Sequence, residues 1–257
     1  MLKLTDYQKD IITCTGSGKI EILGQKYFFK ESEKDIDGVE LLVEALANLV
    51  DVNCASYERI VINSKSYVLS KDIAGDEDFK TASVILGKEN TNSSSLYNIW
   101  HILEQKYPSD VERIMYEIIK IYIFDFIVLN PDRIYNNWGI RFSEGKVDKV
   151  FILDNEESFN NLSHAFLDSH SDWDSPIKSQ EIENLINLDY FFNTSSSEFI
   201  ELFKSMYNIL NPEAVKSIFE QVEKEIGNGF KFNLELFKAY FQNYNEIGNL
   251  LNRRGLK

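Results

Sequence analysis

The first third of the chain alternates between apolar and polar positions. Lys19–Leu23 and Gln25–Lys30 both alternate and meet at Gly24, the pattern of two strands joined by a tight turn. Ile60–Ile62 and Ser66–Leu69 flank Asn63-Ser64 and predict a second hairpin. Between these pairs the period changes. Val39, Leu42, Val43, Leu46, Leu49 and Val50 recur at three- and four-residue steps, which predicts a helix over Gly38–Val50. From Ala74 to Ser95 neither period holds. Gly75, Gly87 and the polar run Asn90–Ser95 predict a connector without regular structure.

Beyond the connector the helical period dominates. Ser109-x-x-Glu112 has the spacing of a capping box and opens an amphipathic stretch to about Leu129, which Pro131 stops. Trp138–Phe142 and Lys149–Leu153 flank Glu144-Gly145 and predict a hairpin within this half. Further helices are expected over Ser179–Leu188, Ser196–Leu210, Pro212–Ile226 and Leu234–Leu251. Ser195-x-x-Glu198 reads as a capping box, Asn211 precedes Pro212 at a first helical position, Gly227-Asn-Gly229 is a stop, and Asn233 can cap the last helix. The fold class expected is α+β with two lobes. Residues 1–73 form a small antiparallel sheet carrying one helix, and residues 74–257 a larger, mainly helical lobe. A cleft between lobes is a usual place for a ligand.

Charge and composition narrow the function. The 257 residues carry a net charge of −14, which argues against direct binding to nucleic acid phosphates. Cys14 and Cys54 make neither a disulfide framework nor a zinc site. The apolar stretch Ile118–Leu129 is interrupted by Lys120 and Asp125 and is too short to span a bilayer. The first residues lack the apolar core of a signal peptide. A cytoplasmic protein away from membranes is the expectation. His164, Asp168, His170, Asp172 and Asp174 match no defensible metal-ligand spacing and read as a solvated loop.

The chemistry concentrates in Asn130–Gly139 and Phe151–Asn155. Phosphoryl transfer from ATP needs a carboxylate at the attacking hydroxyl, oxygen ligands for Mg²⁺, and a cation on the phosphates. Asp132 fits the first role. Asn137, five residues on, and Asp154, at the end of the next strand, fit the second. Lys30 ends a strand amid aromatics, and Glu40 on the following helix is its natural partner, with Glu44 one turn later as a rival. Thr15-Gly16-Ser17-Gly18-Lys19 could cover phosphates through its backbone, although a simple turn reads equally well and the spacing is not that of a Walker A loop.

These residues resemble the HipA-like serine/threonine kinases, including the shorter CtkA type, a group whose atypical fold is shared with phosphatidylinositol kinases. The resemblance rests on Phe124-Asp125-x-x-x-x-Asn130, then Asp132-Arg-x-x-x-Asn137-Trp-Gly, then a strand ending in Asp154-Asn155. It implies a catalytic role for Asp132 and metal binding for Asn137 and Asp154, with ATP and Mg²⁺ as cofactors. It further implies nucleotide binding by Lys30 and Glu40, and by the Ser17-Gly18 turn, with Ser17 as a position for autophosphorylation. Ser66–Asp72, which includes Lys71, resembles the linker whose backbone meets adenine. The expected partners are a protein substrate with a Ser/Thr acceptor and an antitoxin. Two departures stand out: Ile134 where the pattern has histidine, and Glu156 where it has a small residue. A nucleotide-binding pseudokinase, or a kinase of a small molecule or lipid, is the alternative.

Overall fold

Two-residue turns set the register of the sheets. The computed structural model describes residues 3–32, 36–75, 78–87, 96–130, 133, 135–156, 158–159, 192–193, 195–226 and 234–256. Asp132, Ile134, the expected helix over 179–188 and the histidine–aspartate cluster over 164–174 lie outside them. Strands β1 (Ser17–Ile22) and β2 (Gln25–Ser32) turn at Leu23-Gly24, and β3 (Tyr57–Ile62) and β4 (Lys65–Lys71) turn at Asn63-Ser64. Both residues of each turn have positive φ, the geometry that matches the right-handed twist of the flanking strands. These strands form one antiparallel sheet in the order β1-β2-β4-β3.

The two faces of this sheet meet different partners. Ile20, Ile22, Tyr27, Phe29, Ile60, Ile62, Tyr67 and Leu69 pack with Ile12 into a separate core. Ile12 belongs to α1 (Asp6–Thr15), a helix that the hydrophobic pattern did not reveal. Its start is held by a capping box between Thr5 and Gln8, and Gly16 ends it in the left-handed conformation. Residues 15–19 are therefore not a free loop between strands: they run from a helix cap directly into β1. The other face carries Phe28, Lys30, Val68, Ser70 and Tyr57, the residues that alternate with the first set in register.

The expected front helix, α2 (Ile36–Leu49), buries its apolar stripe in the main core instead of in the sheet's own core. The supposed connector contains β5 (Asp78–Thr81) and the short α3 (Ala82–Leu86), followed by α4 (Leu96–Lys106). Strand β5 pairs with β6 (Trp138–Ser143), which pairs with β7 (Lys146–Ile152). Gly139 permits this approach: a Cβ there would lie 2.4 Å from the Lys80 carbonyl oxygen and 2.5 Å from Phe79. Gly139→Ala is expected to lower stability by roughly 1–3 kcal/mol, toward the top of that range because the obstacle includes backbone. Urea denaturation would measure it, and an unchanged midpoint would contradict the close approach.

Helix α5 (Val111–Val128) is the axis of the main core, with every residue from Lys120 to Val128 buried. Lys120, which interrupts its apolar run, donates to the Asp51 carbonyl and lies 3.3 Å from the Asp51 carboxylate. The capping box expected at Ser109 does not form. Asp110 is the N-cap residue, without a side-chain cap bond, and Ser109 bonds Asp110 instead. Helices α6 (Ser197–Ile209), α7 (Pro212–Ile226) and α8 (Leu234–Arg253) follow among the described residues. At α6 the box at Ser195 is also absent, since Ser196 holds the N-cap position without a side-chain bond. Asn211 does cap α7, accepting from the Ala214 N–H at 3.0 Å. Among the described residues no helix is long and apolar enough to cross a membrane.

Candidate active site

Three separate elements bring charged side chains to one point. Lys30 lies near the end of β2, Glu40 in the first half of α2, and Asp154 just past β7. The Lys30 Nζ donates to Glu156 Oε2 at 2.7 Å and to Asp154 Oδ1 at 2.9 Å, and Glu40 Oε1 lies 3.7 Å away. Burial pulls the Lys30 ammonium down. The hydrogen bonds to Glu156 and then Asp154 outweigh that and hold it above the ordinary lysine range.

The geometry separates the two glutamates of α2. Glu44 Oε2 accepts from the Tyr57 N–H at 2.8 Å and so caps the start of β3. Glu40 is 1% exposed and its other oxygen accepts from the Asn155 N–H at 2.9 Å. Burial lifts the Glu40 carboxyl from 4.5 to about 7, against the opposing pull of Lys30 and the Asn155 N–H. The folded chain therefore keeps a proton on Glu40 that the unfolded chain releases over this range. That contribution to stability is complete below the unfolded value of 4.5 and is lost as the pH rises through about 7. Relative to Glu40→Gln, the native chain is expected to lose roughly 3 kcal/mol between about pH 4.5 and pH 8. Denaturation curves for both proteins at the two pH values would check it. Parallel pH dependence would contradict the raised pKa.

Asp154 is clamped from below. It has a left-handed backbone, φ 47°, and its N–H donates to the Tyr57 hydroxyl at 3.0 Å. Non-glycine residues in this region persist where surrounding structure over-determines them. Here the clamp is Arg133, which is 2% exposed. Its guanidinium grips Asp125 of α5 through Nε and Nη2, at 2.9 and 2.8 Å. It also donates to the carbonyls of Asn137 and Leu153 at 2.8 and 2.7 Å and to Asn155 Oδ1 at 2.6 Å. One buried cation thus ties the end of α5 to the turn before β6 and to the segment after β7. The Arg of Asp-Arg-x-x-x-Asn-Trp-Gly was visible in the sequence, but its role was not.

Asn137 sits in that turn and is buried, and its carbonyl also accepts from the Leu153 N–H at 2.8 Å. Its neighbour Asn136 accepts from the Ser83 hydroxyl at 2.6 Å, and the Ser83 N–H donates to the Tyr135 carbonyl. Helix α3 therefore braces the segment that carries Asn137.

Beside these groups lies a pocket of about 740 Å³. Lys30, Glu40 and Asp154 line one end, and Phe28, Val68, Ile73, Phe79 and Leu153 give it apolar walls. Gly18 and Lys71 also line it. Ser17 does not appear in the lining, although its backbone pairs with Lys30 across the β1–β2 ladder. Lys71 is the last residue of β4, and its N–H is already given to the Ser56 carbonyl at 2.8 Å. The connecting segment proper, Asp72–Ala74, runs along the pocket edge. Hard carboxylate oxygens gathered around the Lys30 ammonium, at the end of an apolar slot, suit a magnesium-bound nucleotide.

No protein-family model and no curated protein sequence matches the chain. Its fold is similar to that of the Helicobacter pylori proinflammatory kinase CtkA, with a TM-score of 0.63 over 91% of this chain and 90% of that one, at 10% identity. It is also similar to HipA of Shewanella oneidensis MR-1, from a toxin–antitoxin complex with HipB and operator DNA, with a TM-score of 0.50 over 86% of this chain at 10% identity. The match spans 57% of that HipA chain. What the chain shares with these two proteins is the fold.

Proposed function

We propose that this chain is a Mg·ATP-dependent protein kinase of the HipA-like type, acting on Ser/Thr residues of another protein. The carrying observation is the meeting of Lys30, Glu40 and Asp154, from three separate elements, at the charged end of an apolar pocket. On this reading residues 1–73 form the nucleotide lobe and residues 74–257 the catalytic lobe. The adenine lies against Phe28, Val68 and Ile73, near the backbone of Asp72–Ala74, with Lys71 at the lip. Lys30, oriented by Glu40, holds the phosphates, and the Gly18 backbone approaches them. Asp132 orients the acceptor hydroxyl and takes its proton. Mg²⁺, held by Asn137 and Asp154, would neutralise charge on the phosphoryl oxygens.

Ser17, one strand from Lys30, is the candidate for autophosphorylation. The HipB partner of the HipA neighbour motivates an antitoxin as a partner here as well. The net charge of −14 makes an anionic lipid surface a poor substrate. A second reading, a nucleotide-binding pseudokinase, is favoured by Ile134 in the catalytic segment.

Purified protein with γ-labelled ATP, Mg²⁺ and a protein pool is the test. Label transfer is expected, and its loss in Asp132→Ala with nucleotide binding retained assigns the catalytic aspartate. Transfer that persists in Asp132→Ala sinks that assignment. Nucleotide binding without transfer under any metal selects the pseudokinase.

A further inference from the structure

The segment after β7 is held too firmly for Glu156 to be an incidental surface charge. Asn155 is fixed by Glu40 through its N–H and by Arg133 through its side chain. The Ser158 N–H donates back to the Asn155 carbonyl at 3.0 Å. Phe159 is fully buried against Phe219 and Tyr240, and its N–H donates to the Val128 carbonyl. Glu156 is therefore carried on a short turn anchored at both ends. That turn delivers its carboxylate to Lys30 Nζ at 2.7 Å, closer than either Asp154 or Glu40.

An ammonium has three N–H donors. Glu156 and Asp154 each accept one, and Glu40 faces the group at 3.7 Å. A phosphate oxygen that approaches Nζ meets all three carboxylates and must share the ammonium with them or take the place of one. For a metal-free nucleotide the exchange replaces one hydrogen bond by another and brings more negative charge beside Asp154 and Glu156. A divalent cation held by Asp154 offsets the added negative charge, and the same exchange becomes favourable without Glu156.

We propose that Glu156 makes nucleotide binding at this site conditional on a divalent cation, rejecting free nucleotide by occupying Lys30. The proposal rests on the kinase reading above only in taking the pocket to bind ATP. Lys30 is the group competed for, and Glu156 acts as a specificity-determining residue, with its carboxylate as the gate.

Calorimetric titration of ATP with excess Mg²⁺, and of ATP with EDTA, would test it on the wild-type chain, Glu156→Gln and Glu31→Gln. The last removes an equal charge from the exposed partner of Lys65 and serves as the control. Glu156→Gln is expected to bind free ATP about tenfold more tightly than wild type, while its Mg·ATP affinity stays within about threefold. The ratio of the two affinities falls accordingly, and in Glu31→Gln it does not move. Thermal midpoints without nucleotide should differ little, because a partly exposed ion pair contributes little to stability. An unchanged ratio in Glu156→Gln overturns the proposal. So does a loss of Mg·ATP affinity with no gain for free ATP, which would make Glu156 a metal ligand. Absence of Mg·ATP binding to wild type instead overturns the kinase reading itself.

Discussion

Arg133→Met is expected to destabilise the chain by about 3–5 kcal/mol. The guanidinium is almost fully buried and makes five hydrogen bonds, all to groups that are themselves inside the protein or at its site. Methionine fills much of the volume but donates nothing. Asp125, a buried carboxylate on the central helix, loses the cation it pairs with, and burial already pushes its pKa up against Arg133. It must take up a proton or remain charged without a partner. The Leu153 carbonyl and the Asn155 amide oxygen lose their Arg133 donor at the same time, while the Asn137 carbonyl keeps the Leu153 N–H. Arg133→Lys should fail nearly as badly, since one ammonium cannot reproduce a bidentate fork while reaching Leu153 and Asn137. Adding Asp125→Leu to Arg133→Met removes the unpaired charge and should recover part of the loss, while the acceptors that lost a donor keep recovery incomplete. Guanidinium denaturation of the single and double variants measures this. A single-variant loss under about 1 kcal/mol would mean that the cluster contributes little.

The elements that the hydrophobic period reveals are those that bury a long stripe or an alternating face. Helix α2 and the hairpins of the first sheet fall within a few residues of their expected limits. Helix α1 escaped because few of its ten residues are apolar and only Ile12 is buried. Its signal was chemical: Thr5-x-x-Gln8 before it and Gly16 after it. Strand β5 escaped because it has four residues, none of them buried, and its place is set by the missing side chain of Gly139. The two failed capping boxes share a cause. Spacing alone does not tell whether the serine has the extended backbone of an N-cap or lies one residue outside it, as Ser109 and Ser195 do.

The candidate site divides in the same way. Lys30, Glu40 and Asp154 could be nominated because each stands at a recognisable place in an element. The choice between Glu40 and Glu44 needed the turn of α2 relative to β3, which periodicity does not supply. Arg133 and Asn155 were invisible as a pair because their bond joins segments on either side of a hairpin. Glu156 appeared in the sequence only as a departure from a pattern. Its contact with Lys30 depends on the left-handed backbone at Asp154.

Lys30→Met carries the other large effect, on binding. Nucleotide affinity is expected to fall at least about 100-fold, because the phosphates lose the Lys30 ammonium and meet Asp154 and Glu156 without it. Stability should change far less. Asp154 and Glu156 are partly exposed and can turn to water, so losing their shared cation costs little. Glu40 is different, being buried and already lifted to about 7, and without Lys30 its carboxyl rises further and holds its proton at neutral pH. Protonation spares the core an unpaired charge. It also leaves the Asn155 N–H a neutral acceptor, so the segment from Asp154 to Glu156 keeps its path. The expected signature is therefore a variant with a near-normal melting temperature and nearly abolished Mg·ATP binding, read by thermal denaturation beside calorimetry. Wild-type Mg·ATP affinity in Lys30→Met would remove Lys30 from the phosphate site. Unfolding of the variant would instead give Lys30 a structural role, with Glu40 unable to take up the proton that this site assigns to it.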